Sequence, residues 1–432
     1  MRIAFVVNSF PALSETFILD QIAGLIDLGH EVHIFAVPPK QEADHHPEIQ
    51  RLDLMKRTTY HPRPMASKGL RRGQAVWHVL RTFPHAPLGT MRLVARQVAR
   101  PREFDYPRFL LWLSVLRGRF DVIHCHFGPN GLLMLPLKQA WPRAPLVTTF
   151  HGYDIRMALR DDMRMYDPLF RQADLLMANS QYTRGVLNEL GAPTGKVCVH
   201  PPGVDLDYYR PAGRSPHDDP SRPLYLVTVG RLVEEKGLQH GLRAVARFRE
   251  RCPDCRFRYD IVGSGPQESL LRSMIEELAL SAHVSLRGYM TRPQVLATLQ
   301  EADIFLLPSI AEGLGVVLLE AQAVGVPIVA SNVQGIPHAV DPGRSAFLAP
   351  AADAEAWAEA LRRLAQDAPL RERMGRAGRE FVRRHYDLQA LNRRLVQTYR
   401  ELTTRKGASP LSKSFVNGRR SDADHREEGT RT

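Results

Sequence analysis

Between residues 224 and 330, short apolar runs alternate with helical patterns. The runs are 224–229, 257–262, 284–286, 304–307 and 327–330, and the helical patterns are 237–251, 266–280, 293–301 and the stretch from Gly315 onward. Runs this short and this uniformly apolar read as parallel strands buried on both faces, with the helices as crossovers. The alternation predicts an α/β, doubly wound domain. A similar series comes first. Residues 2–7 and 32–37 read as strands around a helix whose apolar face is Phe17, Ile18, Ile22, Leu25 and Ile26, a βαβ unit with a right-handed crossover. Further short strands are expected at 121–127, 145–150, 174–178 and 196–200.

A chain of 432 residues is too long for one core, so two domains are expected. The predicted divisions are 1–208, a Pro-rich linker at 209–223, 224–385, a closing helix at 386–402 and a polar, disordered tail at 403–432. An insertion at about 40–119 reads as helical and basic. Fifteen Lys or Arg lie between Arg51 and Phe120 against Asp53, Glu103 and Asp105, which accounts for the whole net charge of +12. Within it Arg92, Arg96 and Arg100 form a stripe at i, i+4 spacing beside Trp77, Phe83, Leu93 and Val94. Such a cluster suits an anionic membrane surface, a solvated face or nucleic acid. No recognised nucleic-acid module accompanies it, so no nucleic-acid partner is expected.

No apolar run reaches the ~20 residues of a membrane span, and the first residues lack the long apolar stretch of a signal peptide. A cytoplasmic protein is expected. Cys125, Cys198, Cys252 and Cys255 are too few and too scattered for a disulfide framework. Cys252 and Cys255 have the spacing of a redox or zinc pair, but they follow a helix and lack two further ligands nearby, so neither role is expected.

Polar residues cluster where the strands end. In the second domain the run 304–307 leads into Pro308-Ser309-Ile310-Ala311-Glu312-Gly313-Leu314-Gly315 and then a helix containing Glu320. Glycines at such a turn let backbone N–H groups approach a ligand, and a helix start adds partial positive charge, so the loop suits a phosphate. Glu312 lies in the loop and Glu320 about a turn into the helix, so they reach different parts of one ligand. Glu320 sits among apolar residues and needs strong hydrogen-bond donors, such as sugar hydroxyls or partners within the fold.

Other strand ends carry Gly230-Arg231-Leu232 with Lys236-Gly237, Gly263-Ser264-Gly265, and Arg287-Gly288-Tyr289. Arg231 and Lys236 straddling a strand-to-helix turn suit a diphosphate. In the first domain the strand ends carry His124-Cys125-His126 and His151-Gly152-Tyr153-Asp154, and the first loop carries Ser14, Glu15 and Thr16. Ser14 can cap the helix that follows. His124 and His126 share one side of a strand, which suits a hydrogen-bonding pair better than a metal site lacking a third ligand. In open α/β sheets all these clusters face one crevice.

Together these residues resemble the retaining nucleotide-sugar glycosyltransferases of family 4, which have two Rossmann-like domains facing across a cleft, the GT-B architecture. The resemblance covers roughly residues 1–402 and rests most on Glu312-Gly313-x-Gly315-x4-Glu320, an E-x7-E signature, with Gly230-Arg231-Leu232-x3-Lys236-Gly237. It implies that Glu312 contacts the transferred sugar, Glu320 the ribose, and Arg231, Lys236, Gly313, Leu314 and Gly315 the diphosphate. His151 would meet the donor sugar near its anomeric carbon. Gly230, Gly263, Gly265, Arg287, Gly288 and Tyr289 would line the nucleotide site.

The opening Ser9-Phe10-Pro11-x2-Ser14-Glu15-Thr16-Phe17 departs from the family's Gly-Gly loop and is similar to the subgroup that builds exopolysaccharides of the colanic-acid type. That likeness implies a lipid-linked oligosaccharide acceptor met by Ser14, Glu15 and Thr16, at the inner face of the cytoplasmic membrane. No metal or other cofactor is expected, since Asp205-Leu206-Asp207 looks like the family's interdomain turn. The rivals are an epimerase or phosphorylase of similar fold, or a non-catalytic nucleotide-sugar-binding module.

Overall fold

The computed structural model describes residues 1–12, 15–39, 46–62, 65, 67–100, 102, 104–212 and 222–405. Its first half builds β1 (Arg2–Ser9), α1 (Thr16–Asp27), β2 (Glu31–Val37), α2 (Pro47–Arg51), β3 (Thr58–Tyr60), α3 (Lys68–Thr82), α4 (Pro87–Ala99) and α5 (Tyr106–Gly118). It continues with β4 (Val122–His126), α6 (Gly128–Ala140), β5 (Leu146–Phe150), α7 (Tyr153–Asp161), α8 (Asp167–Gln172), β6 (Leu175–Ala178), α9 (Gln181–Glu189) and β7 (Val197–Val199). These strands form one parallel sheet in the order β3-β2-β1-β4-β5-β6-β7. Every residue of β4, β5 and β6 is buried, as expected for strands covered by helices on both faces.

The second half builds β8 (Leu224–Val229), α10 (Leu238–Arg251), β9 (Phe257–Val262), α11 (Glu268–Glu277), β10 (Val284–Gly288), α12 (Arg292–Glu301), β11 (Ile304–Leu307), α13 (Val316–Ala323), β12 (Ile328–Ser331) and β13 (Ala346–Ala349). Its parallel sheet runs β10-β9-β8-β11-β12-β13. Helices α14 (Ala354–Gln366) and α15 (Ala368–His385) cover it, and α16 (Leu388–Thr404) crosses back to the first domain. There Leu395, Val396 and Tyr399 join the apolar core beneath β1 and α1. The crossing is pinned where Val204 and residues 386–388 exchange backbone hydrogen bonds of 2.8 and 3.1 Å.

The order reverses between β1 and β4 in one sheet and between β8 and β11 in the other. At such a switch point neighbouring loops diverge to opposite faces and leave a crevice at the strands' C-terminal ends.

Several sequence expectations need correction. The basic insertion contains β3, whose Thr-Thr-Tyr lacks an apolar run and is held as an edge strand by pairing with β2. The second sheet gains β13. Arg92 and Arg96 do not form an open stripe: Arg92 donates to the Ala140 carbonyl (3.4 Å) and Arg96 to Gln139 Oε1 (3.1 Å), where cations favour a helix C-terminus. Cys252 and Cys255 are disulfide-bonded, because a turn at the end of α10 sets their Cα atoms 5.3 Å apart, within bonding reach. Helix α16 extends to Thr404, two residues into the expected tail. The tail from Lys406 on, with Asp422 and Asp424, lies outside the described residues, as do Ser14 and residues 213–221 of the linker.

Candidate active site

The two loops at the second domain's switch point are bolted together through their backbones. Ile310 and Ala311 donate to the Glu235 carbonyl at 2.9 and 3.3 Å. Gly237 adopts a φ of +56°, and a Cβ there would lie 2.2 Å from the Pro308 carbonyl oxygen, so only glycine permits the approach. The result is a direct ion pair between Lys236 and Glu312, both largely buried. A third loop backs Glu312: Gln334 Oε1 accepts from its N–H (2.8 Å) and its carbonyl accepts from Gly335 (3.0 Å). Gly315 caps α13, and Glu320 lies one turn in.

At Gly313 the backbones of the two domains come into contact. A Cβ on it would meet the His151 carbonyl oxygen at 2.6 Å and Asn179 Nδ2 at 3.1 Å, so bare backbone faces backbone across the cleft. His151 presents its carbonyl to this contact, while its ring lies back in the first domain. There Nε2 is 2.9 Å from His126 Nδ1, and the ring packs against Phe17 and Phe127. Burial pushes the His151 pKa down to about 3, so near neutral pH it is an uncharged hydrogen-bonding group.

Asp154, at the start of α7, shapes this loop. Its carboxylate accepts from the backbone N–H groups of Gly128, His151, Gly152 and Ile155 at 3.0–3.1 Å. Burial raises its pKa to about 6 although those donors pull the other way. His124 bonds Tyr399 and Thr149, so the two strand-end histidines serve the fold and the His151 ring.

Glu320 meets partners the sequence did not reveal. Tyr209 donates its hydroxyl to Glu320 Oε1 (2.9 Å), and burial raises the Glu320 pKa, opposed by Arg292 and by that hydroxyl. Arg292, at the start of α12, lies over the rings of Tyr208 and Tyr209 at 4.4 and 5.3 Å. It reaches across to the first domain, donating to both carboxylate oxygens of Asp20 on α1 at 2.7 and 3.0 Å, and it also meets His46. The Asp20 and Arg292 side chains are only 11% and 10% exposed, a nearly buried ion pair that joins the domains beside Glu320.

Residues 14–208 match the model of Glycosyltransferase Family 4, and residues 210–381 match that of the Glycosyl transferases group 1. The colanic acid biosynthesis glycosyltransferase WcaL of Escherichia coli is 33% identical over 418 residues, covering 93% of this chain and all of WcaL. The chain belongs to the group 1 glycosyltransferases of family 4. The amylovoran biosynthesis glycosyltransferase AmsK of Erwinia amylovora is also 33% identical, over 85% of this chain and 91% of AmsK. In fold this glycosyltransferase is similar to Anabaena HepE in complex with UDP-glucose, with a TM-score of 0.70 at 17% identity over 93% of this chain and all of HepE. It is likewise similar to sucrose-phosphate synthase from Thermosynechococcus elongatus, with a TM-score of 0.69 at 20% identity over 94% and 99% of the two chains. Both neighbours support the GT-B architecture.

The remaining predicted site residues of this glycosyltransferase are distributed unevenly. Glu15 is the N-cap of α1 and Thr16 its first residue, with no side-chain cap. Glu15 reaches across the cleft electrostatically: burial raises its pKa to about 7, and Arg231 of the second domain pulls it down. Gly263 and Gly265 abut the backbone of Gly230 and Leu232, which locks the two loops side by side. Gly288 joins this set by accepting from the Gly263 N–H (2.8 Å). Arg287 turns instead toward Asp260 (3.6 Å), in a polar groove of about 380 Å³ that also takes in Tyr225, Arg258 and His283 and neither Glu312 nor Glu320. Tyr289 stands half exposed at the same strand end. Asp205 accepts from the N–H groups of Asp207 and Tyr208 at 2.9 and 3.1 Å, so it stabilises the interdomain turn.

Proposed function

We propose that this glycosyltransferase moves a sugar from a nucleoside diphosphate to a lipid-linked oligosaccharide, with retention of anomeric configuration, in exopolysaccharide assembly. One observation carries the reading. Lys236 and Glu312 meet in the second domain beside the glycine loop 313–315, directly opposite the His151 loop of the first. A donor whose diphosphate lies along that loop would present its anomeric carbon to the cleft between the domains. The likeness to the colanic acid and amylovoran biosynthesis glycosyltransferases WcaL and AmsK supports the exopolysaccharide product, and the HepE complexes with UDP and UDP-glucose support a nucleotide sugar as donor.

In this reading Lys236 and Arg231 take the charge that develops on the departing diphosphate, and Glu312 meets the transferred sugar. Fixed cations already in place stabilise that charge without reorganisation, so no metal is required. Glu320 takes the ribose, replacing its bond to the Tyr209 hydroxyl with bonds from ribose hydroxyls. His151, uncharged near neutral pH, offers hydrogen bonds and takes up no proton. For retention, the acceptor oxygen bonds to the anomeric carbon on the face from which the phosphate oxygen departs. The departing oxygen takes the acceptor's proton, so charge and atoms balance. The acceptor enters beside Glu15 and Thr16, and the enzyme works in the cytoplasm at the inner face of the membrane that holds the lipid.

The test is release of free nucleoside diphosphate. It should require both a nucleotide sugar and an acceptor, and product NMR should show the anomeric configuration of the donor. Equal release without acceptor, or binding with no release under any acceptor, would favour a hydrolase or a binding module instead.

A further inference from the structure

Helices α3 and α4 are apolar on both sides. The inner side of α3 packs Ala75 and Val79 on the core, and its Thr82 hydroxyl donates to the Leu113 carbonyl (3.3 Å). The inner side of α4 buries Gly89, Thr90 and Leu93. Among the described residues nothing covers the other side. On α3 and just beyond it, Leu70 (60% exposed), Trp77 (51%), Leu80 (67%) and Phe83 (45%) recur at helical spacing. On α4, Leu88 (67%), Met91 (59%) and Val98 (76%) do the same. The two helices are joined by residues 83–86 and touch one another, so both exposed rows belong to one helical insertion. Single exposed apolar residues are ordinary, but a contiguous face marks an interaction site.

Charge identifies the occupant. Arg81 lies at the edge of the face, 4.9 Å from the centre of the Trp77 ring, and Arg72 is exposed on the same helix. From Leu54 to Arg102 the sequence holds no Asp or Glu. A helix lying in a membrane interface has this composition: Leu and Trp on one face, arginine at its edges, modest overall hydrophobicity. A second copy of this chain would bring a like-charged face, which opposes self-association. No helix among the described residues is long and apolar enough to cross a bilayer.

We propose that the outer face of α3 and α4 docks on an anionic bilayer, the apolar rows entering the headgroup region and the arginines meeting lipid phosphates. This deepens the membrane part of the proposed function, and its observations do not depend on the transfer chemistry. Helix α3 runs alongside α5, with Gln74 at Tyr106 and Thr82 at Leu113, and α5 leads into the first residue of β4. The Leu70 end of the face therefore lies toward the strand ends that form the cleft. A docked enzyme would hold its cleft beside the bilayer, where a lipid-linked saccharide is presented.

Vesicle sedimentation tests this, using the full chain with phosphatidylcholine alone or mixed with phosphatidylglycerol. The wild type should pellet only with the mixed vesicles, and less so as salt rises. Brominated acyl chains should quench its tryptophan emission, and Trp77→Phe should lose that quenching. Arg72→Gln with Arg81→Gln should weaken binding, at roughly fivefold per arginine. Leu80→Glu, Leu88→Glu and Val98→Glu together should reduce it at least tenfold while leaving Tm and transfer to a water-soluble acceptor unchanged. The proposal is overturned if the wild type ignores mixed vesicles at low salt, or if the triple variant binds like the wild type. A wild-type dimer that the triple variant converts to monomer would also overturn it. Vesicle binding without sugar transfer would sustain the docking surface and remove the proposed function.

Discussion

Glu312 and Glu320 stand in different surroundings, and the difference predicts different kinetic defects. Glu312 is paired with Lys236 in the loop facing the first domain, whereas Glu320 sits inside α13 bonded to Tyr209. Glu312→Gln should lower kcat by roughly 100-fold with little change in donor KM, the usual size for loss of a group acting on the transition state. Glu320→Gln should chiefly raise donor KM. Steady-state kinetics over donor concentration separates the two.

Glu15 gives a pH dependence. Its folded pKa of about 7 lies above the ordinary 4.5 because burial disfavours the carboxylate, with Arg231 opposing. Its contribution to stability is therefore complete below about pH 4.5 and lost as pH rises through about 7. Ionised Glu15 also competes with a diphosphate for Arg231. Nucleoside diphosphate affinity should fall as pH rises from about 6 to about 8, and Glu15→Gln should flatten both profiles. Calorimetry at several pH values checks it.

At this scale the sequence was informative about charge and silent about partners. The spacing that set Glu312 and Glu320 on one loop and helix was readable. The Asp20–Arg292 pair was not, because its members lie 272 residues apart and meet only when two domains close. A signal existed even so: Asp20 lies in an apolar stretch of α1, the same circumstance that singled out Glu320.

Among the elements, α1 and α12 hold the domains together through that pair. Removing one member of a nearly buried ion pair leaves an uncompensated charge and typically costs about 3–5 kcal/mol. Asp20→Ala should lower Tm and weaken donor binding, since Arg292 also stacks on Tyr209 beside Glu320. Arg292→Met with Asp20→Leu should recover much of the stability without restoring donor affinity. A double-mutant cycle on Tm and donor Kd measures the coupling.

The central strands were legible because both faces of each are buried, which forces uninterrupted apolar runs. Edge strand β3 was not, since Thr58, Thr59 and Tyr60 carry no apolar pattern and are ordered by the ladder to β2. Nor was the disposition of the basic helices. Arg92 and Arg96 suggested an arginine face, but α6 draws them to its C-terminal end, leaving Leu88, Met91 and Val98 outward.

For the whole molecule, two doubly wound sheets put their switch points opposite one another, and α16 ties them by returning to the first domain beneath β1. If Arg231, Lys236 and the α13 loop neutralise the leaving group, transfer should survive EDTA. Loss of activity on chelation, restored by Mg²⁺ or Mn²⁺, would point to a metal-held diphosphate, with Asp205 and Asp207 the first carboxylates to test.

In the proposed reading the donor's diphosphate and ribose lie between Lys236, Glu312 and Glu320. Calorimetric titration with UDP, GDP and ADP checks this placement, because binding is read without knowing the acceptor. One of the three should bind the wild type at a single site. Lys236→Ala and Glu320→Gln should each weaken that binding at least tenfold, while Arg287→Gln, in the separate polar groove, should change it less than threefold. Wild-type-like affinity in both Lys236→Ala and Glu320→Gln would place the nucleotide outside this loop and helix.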